Sequence, residues 1–254
     1  MDTLPASAGW QWVRDGFTLL RRQPAELCTL FLSYLFLMLA LSFIPVAGQL
    51  LPLLLIPVFS MAFMQACVLV EKRKRVLPSL LLYGFRSKAF GNLVKLGALY
   101  VLAAALAIGV SVLIDGGALL DIMTGSGKVD PENMPGLRLP LAMLAAATIY
   151  TPAAMAFWYA APLVTWQEMG IFKALFYSFF AVLRAKGAFL IYGLGWMLMG
   201  VMLPLLFSSV LGAVTQSTSL MMIVLIPLSV ILTVAMYCSF YATYVAFFPR
   251  PESA

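Results

Sequence analysis

LCTLFLSYLFLMLALSFIPVAGQLLPLLLIPVFSMAFMQACVLV, residues 27–70, carries no charged side chain in 44 positions. A helix rises 1.5 Å per residue, so crossing a hydrocarbon layer of about 30 Å takes roughly 20 mostly apolar residues. The stretch is long enough for two crossings, and Pro45-Val46-Ala47-Gly48 in its middle is turn chemistry. It reads as two membrane-spanning helices joined by a tight turn.

The same reasoning runs outward along the chain. Leu96 to Ile114 is one span, with Lys95 snorkelling at its entrance, and Leu139 to Gln167 is another. Gly187 to Pro249 is charge-free for 63 residues and is broken by the polar run Thr215-Gln216-Ser217-Thr218-Ser219, which gives two more. The expected spans are therefore 27–44, 49–70, 94–114, 140–165, 188–211 and 220–246 in one integral membrane domain, 1–254, of the all-α, polytopic bundle class. Composition agrees: 63% of the 254 residues are hydrophobic and 10% charged, against about 25% charged in soluble domains.

Cytoplasmic loops retain lysine and arginine, which sets orientation. Six spans place fourteen of the sixteen on one side, leaving Lys128 and Arg138 opposite, so both termini are expected in the cytoplasm. The net charge of +6 then belongs to topology and points to no nucleic acid. The Lys72–Arg75 cluster attracts anionic lipid by about 1 kcal/mol per charge. No small-residue cleavage site follows the first apolar run, so that span is expected to serve as its own targeting signal. Cys28, Cys67 and Cys238 fall inside spans and read as small apolar fillers. With no histidine in the chain, His-based catalysis, haem ligation and the usual zinc sites are excluded.

A stretch too polar or too short to cross precedes each odd-numbered span, and each reads as an amphipathic helix in the head-group plane: 9–23, 77–89 and 170–185. In the first, Trp10, Val13, Phe17 and Leu20 form the apolar face and Gln11, Arg14, Thr18, Arg21 and Arg22 the polar one. The second begins at Pro78 and ends at Arg86 and Lys88. The third carries Ile171, Phe172, Leu175, Phe176, Phe179 and Leu183 before Arg184 and Lys186. An apolar residue precedes Arg21, Arg86 and Arg184 alike, and a proline (Pro57, Pro152, Pro227) follows in the second span of each pair. Three repeats of one unit, an interfacial helix and two spans, account for this pattern as well as coincidence does.

Phe157-Trp158-Tyr159-Ala160-Ala161-Pro162-Leu163-Val164, followed by Lys173-Ala174-Leu175-Phe176-Tyr177-Ser178-Phe179-Phe180, resembles an uncharacterised family of proteobacterial inner-membrane proteins. The layout is more distantly similar to the multi-span domains attached to some glycerophosphodiester phosphodiesterases. The resemblance implies the bacterial inner membrane and this shape, and assigns no functional residue.

No ionisable residue lies in mid-span, which argues against proton-coupled transport. The prolines free the carbonyls of Leu53, Thr148 and Ile223, with a packing kink favoured over a substrate site. Thr148, Tyr150, Thr151, Pro152, Trp158 and Tyr159 make the fourth span the most polar and the candidate cavity wall. Gln65 reads as interhelical glue. Among Tyr237, Tyr241 and Tyr244, an interfacial belt accounts for the outer two and leaves Tyr237 to face a ligand or the core. Met197, Met199 and Met202 read as packing rather than as copper ligands. Asp115, Asp121, Asp130 and Glu132 could hold a hard cation, although a solvated linker explains the loop more simply. The Gly125-Ser126-Gly127-Lys128 string lacks the spacing of a phosphate loop.

The expected function is therefore non-enzymatic: a lipid-binding protein, or a scaffold for a protein partner or a second copy, with no cofactor and no metal. A small carrier of uncharged or amphiphilic solutes is the alternative, and an intramembrane enzyme the third. Reporter fusions after Gly48, Pro131 and Ser217 should report the outside, and fusions at Lys74, Gly170 and Ser253 the cytoplasm; one reversal breaks the six-span topology.

Overall fold

A computed structural model describes residues 4–44, 47–125, 136–215 and 218–251. The turn at Pro45-Val46, the loop residues Lys128, Asp130, Pro131 and Glu132, the polar break at Gln216-Ser217 and the end at Glu252-Ser253-Ala254 lie outside the described residues. Within them, every regular element is a helix.

Six helical segments are long and apolar enough to cross a membrane. They are α2 (Pro24–Ser42), α3 (Ala47–Glu71), α5 (Phe90–Asp115), α7 with α8 (Arg138–Phe157 and Ala160–Trp166), α10 with α11 (Lys186–Met197 and Leu203–Thr215) and α12 (Thr218–Phe247). Three of the connecting segments lie at one end of the bundle: α1 (Ala8–Arg22), a 3-10 turn with α4 (Pro78–Leu82 and Tyr83–Arg86), and α9 (Ile171–Arg184). This end also carries most of the lysines and arginines and is called the basic end below. A short helix, α6 (Ala118–Thr124), lies at the other end. The second connecting stretch is thus a 3-10 turn and one α-turn rather than the expected continuous helix.

The centre of the molecule is the second half of α3. Two thirds of its spanning window is buried (67%), against 17% or less for the other spans. From Val58 to Cys67 only Ser60 is not buried, and Phe59, Met61, Phe63 and Met64 fill the space between neighbours. Phe63 stacks on Tyr237 of α12 at 4.3 Å between centroids, and Tyr34 of α2 meets Phe59 and Phe63 edge-on. The opposite halves of α7, α11 and α12 expose Leu144, Val214, Ile223 and Ile226. A bilayer accepts such surfaces as readily as a protein core does.

Two interruptions have local causes. In an unbroken helix the Tyr159 N–H would reach the Met155 carbonyl. Instead Ser178 of α9 inserts between them, its Oγ accepting from Tyr159 N at 2.8 Å and donating to Met155 O at 2.8 Å. Pro162 has no N–H to offer the Trp158 carbonyl, and at the same break Tyr100 Oη of α5 donates to the Phe157 carbonyl at 3.0 Å. In the fifth span a π-turn, Leu198–Met202, lies just before Leu203-Pro204, where the proline's missing N–H disturbs the helical hydrogen-bond register.

The short helices pack in a circular order. α4 lies on α3, the second span of the pair before it; α9 lies on α7 and α8, and α1 closes the circle on α12. α1 does so through a face shifted from the expected one: Val13 and Leu20 are buried and Phe17 half-buried as expected, while Trp10 turns outward. It buries Trp12, Val13, Gly16, Leu19 and Leu20 against α10 and α12 and leaves Trp10 exposed. The physical reason is Gly16: a Cβ there would lie 2.6 Å from both Ala235 O and Ser239 Cβ, so the two backbones meet where α1 has no side chain.

Tight approach recurs at Gly97 of α5, where a Cβ would run into the Leu54 carbonyl of α3, whereas Gly109 on the same helix faces open space. Gly97→Ala should therefore lower stability by about 1–3 kcal/mol through overpacking, and Gly109→Ala should be neutral or raise it by up to about 1 kcal/mol, read as detergent melting temperatures. Ser178→Ala should cost about 1–3 kcal/mol, because it removes the donor and acceptor that bridge the break; an unchanged melting temperature would show that the break does not depend on the bridge.

Candidate functional site

The residues expected to line a cavity in the fourth span do not come together. Thr148 bonds to the Leu144 carbonyl of its own helix at 2.7 Å, and Thr148, Tyr150 and Pro152 are exposed on the outer surface. Trp158 is half-buried and Tyr159 wholly buried in an aromatic cluster with Phe189, Phe240, Tyr244 and Phe247. Tyr237 is packed against Phe63 and Phe31. None of these six lines any of the three cavities described below.

The tyrosine stripe is corrected more sharply. Tyr241 and Tyr244 are buried, not part of an interfacial belt. Tyr241 Oη donates to Glu71 Oε2 at 2.7 Å, and Tyr244 Oη accepts from Gln167 Nε2 at 3.2 Å. Arg250 Nη2 lies 3.2 Å from Glu71 Oε1. Gln23, at the junction of α1 and α2, donates to Lys74 O at 2.8 Å and accepts from Val76 N at 3.1 Å. These ties join the ends of the second spans to one another and to the connecting loops. Glu71 was legible only as the acid that ends an apolar run; its partners are far away in sequence.

At the other end, Asp115 is a helix cap rather than a cation ligand. Its Oδ1 and Oδ2 accept from the N–H groups of Gly117 and Leu119, both at 2.8 Å. No group of three or more metal-ligating side chains occurs among the described residues.

Three cavities open at the basic end, and each meets the tip of one connecting segment. The largest, about 650 Å³, lies between α9 and the end of α12. Phe176, Phe180, Phe247 and Phe248 form its apolar wall, with Tyr177, Gln167 and Arg184 as polar groups. α9 makes this surface because it is packed inside out: the small residues Ala174 and Ser178, with Val182, face the bundle, and Phe172 (83% exposed) and Phe176 (61%) face away. The second cavity, about 370 Å³, is polar and brings together Asp15, Arg22, Glu71 and Arg250. It is Arg22, not Arg21, that reaches it. The third, about 540 Å³, lies between the start of α5 and the end of α8 and is lined by Arg86, Ser87, Lys88, Asn92, Thr165 and Glu168.

The chemistry these cavities offer is suited to binding. Cations stand beside aromatic and apolar walls at the level where helices turn into spans, and the hydroxyl of Tyr241, which lines the second cavity, is engaged with Glu71.

No family model matches the chain, and no solved structure does. A probable inner membrane protein of Burkholderia thailandensis is 41% identical over 246 residues, covering 94% of this chain and 90% of that one. At that identity and coverage, the chain belongs to this family of proteobacterial inner-membrane proteins, and its six apolar helices are those of a multi-pass inner-membrane protein.

Proposed function

We propose that the protein binds a membrane amphiphile, a phospholipid or a molecule of like shape, at the cytoplasmic face of the inner membrane, without catalysing a reaction on it. The observation that carries this is the groove of about 650 Å³ between α9 and α12, with its phenylalanine wall and Arg184. An apolar wall with a few polar groups suits a molecule that has both an acyl chain and an acidic head. The basic end is assigned to the cytoplasm because it gathers fourteen of sixteen lysines and arginines. At this level α1, α4 and α9 act as interfacial helices, and their circular packing on α12, α3 and α7 supports three repeats of one unit.

The amphiphile is preferred to a carried solute because the three cavities described above lie at the basic end, away from Pro152 and Tyr159. The distant likeness to membrane domains attached to glycerophosphodiester phosphodiesterases bears on shape alone.

The test uses full-length protein purified in detergent, with a fluorescent phospholipid titrated in. Phe176→Ala with Phe180→Ala should weaken binding by about tenfold or more, since each ring contributes about 1.5–3 kcal/mol when buried. Phe207→Ala, on the exposed surface of α11, should leave binding unchanged. Equal affinity in all three proteins sinks the reading, as does a saturable protein partner on α9 that no lipid displaces.

A further inference from the structure

The cleft between α5 and α8 differs in chemistry from the aromatic groove. Arg86 and Lys88 stand on one wall and Glu168 on the other. Among the described residues, none of these three charges takes part in an ion pair, although they share one cleft of about 540 Å³. They are therefore held apart, beyond the 4 Å reach of a salt bridge. Thr165 also lines the cleft, and its Oγ is shielded from solvent and makes no hydrogen bond. That hydroxyl lies behind the surface of the cleft, so the three charges are what the cleft presents to an occupant. Ser87 Oγ, by contrast, is engaged as the acceptor of the Ala89 N–H at 3.1 Å.

We infer that this cleft takes the head group of a zwitterionic phospholipid, a phosphate bearing a primary amine, with Arg86 and Lys88 on the phosphate and Glu168 on the ammonium. A simple anion would meet the Glu168 carboxylate and a simple cation the two basic side chains, whereas a zwitterion satisfies both walls. The phosphate is a natural partner for a guanidinium. The amine, unlike a trimethylated one, keeps N–H donors for Glu168. The lipid is favoured over a soluble zwitterion because the cleft lies where the Pro78–Arg86 segment turns into the spanning helix α5. This inference rests on the reading that the basic end lies at head-group level, but on different residues from the aromatic groove.

Full-length protein in detergent is offered an equal mixture of diacyl phosphoethanolamine, phosphocholine and phosphoglycerol lipids, and the retained lipids are weighed by native mass spectrometry. Phosphoethanolamine should be retained about tenfold over phosphoglycerol, the size of one charge-assisted hydrogen bond. Glu168→Gln should bring that ratio to near one, and Arg86→Gln with Lys88→Gln should reduce retention of all three at this cleft. The ratio is taken within one sample, so a partly unfolded variant does not alter it. Free glycerophosphoethanolamine added in excess should displace none of the lipid; full displacement would identify a soluble zwitterion as the occupant and overturn the assignment to lipid.

A wild-type ratio near one, or a ratio unchanged in Glu168→Gln, overturns the inference. If the Phe176→Ala, Phe180→Ala protein keeps the head-group ratio while losing affinity, the two sites are separate. If phospholipid binding depends on neither set of residues, the proposed function falls with the inference.

Discussion

The enclosure of α3 is the constraint on which the rest of the bundle depends. From Val58 onward this helix has almost no lipid-facing side, and Gln65 is its buried polar residue. A span buried on all sides needs neighbours on all sides, and α2, α5, α8, α12 and the α4 segment supply them. In a bilayer, apolar surface alone does not drive helices together, because lipid solvates it equally well. Close packing and polar ties must do so instead. Gly97 lets α5 reach the Leu54 carbonyl, Ala62 and Ala66 thin the central helix, and the Tyr241–Glu71–Arg250 group fastens α12 to its end.

That enclosure is confined to the basic half, with consequences for where ligands can sit. The opposite halves of α7, α11 and α12 face outward with Leu144, Val214 and Ile223, and hydroxyls there such as Thr148, Ser209 and Ser229 bond back to their own helices. At the basic end the second spans are drawn together, and short helices lie across their ends. A helix laid across helix ends cannot fill every gap between them. Three such residual spaces are the cavities at the basic end, each bounded by the tip of a connecting segment and the end of a second span.

The spans were legible in the sequence because two strong rules act on them: the bilayer fixes their length, and the cost of burying charge keeps them free of it. The connecting helices were legible in place but not in orientation. Large apolar residues mark a buried face only when burial works through large residues. α9 docks through Ala174 and Ser178, so Phe172 and Phe176 point elsewhere, and in α1 the close approach at Gly16 sets Trp12 and Leu19 inward beside Val13 and Leu20 and turns Trp10 out. The break at Trp158-Tyr159 followed the same logic: Pro162 was visible, but Ser178, nineteen residues beyond Tyr159, completes it. Of the site, Arg86 and Arg184 could be found as charges at helix ends. Glu71 and Glu168 could not, because each matters through neighbours that only the packed bundle assembles.

The position of the basic residues carries information beyond topology. Charge-directed orientation depends on how many lysines and arginines a short loop holds, not on which turn of a helix holds them. The run Lys72 to Arg75 meets that requirement by itself for its loop and lines none of the three cavities. Arg22, Arg86 and Arg184 also count toward orientation, yet each stands at the rim of a different cavity. Orientation alone would leave such residues free to drift along their segments. Their placement at three comparable junctions, each beside a differently furnished wall, supports the proposed binding role, which topology alone does not call for.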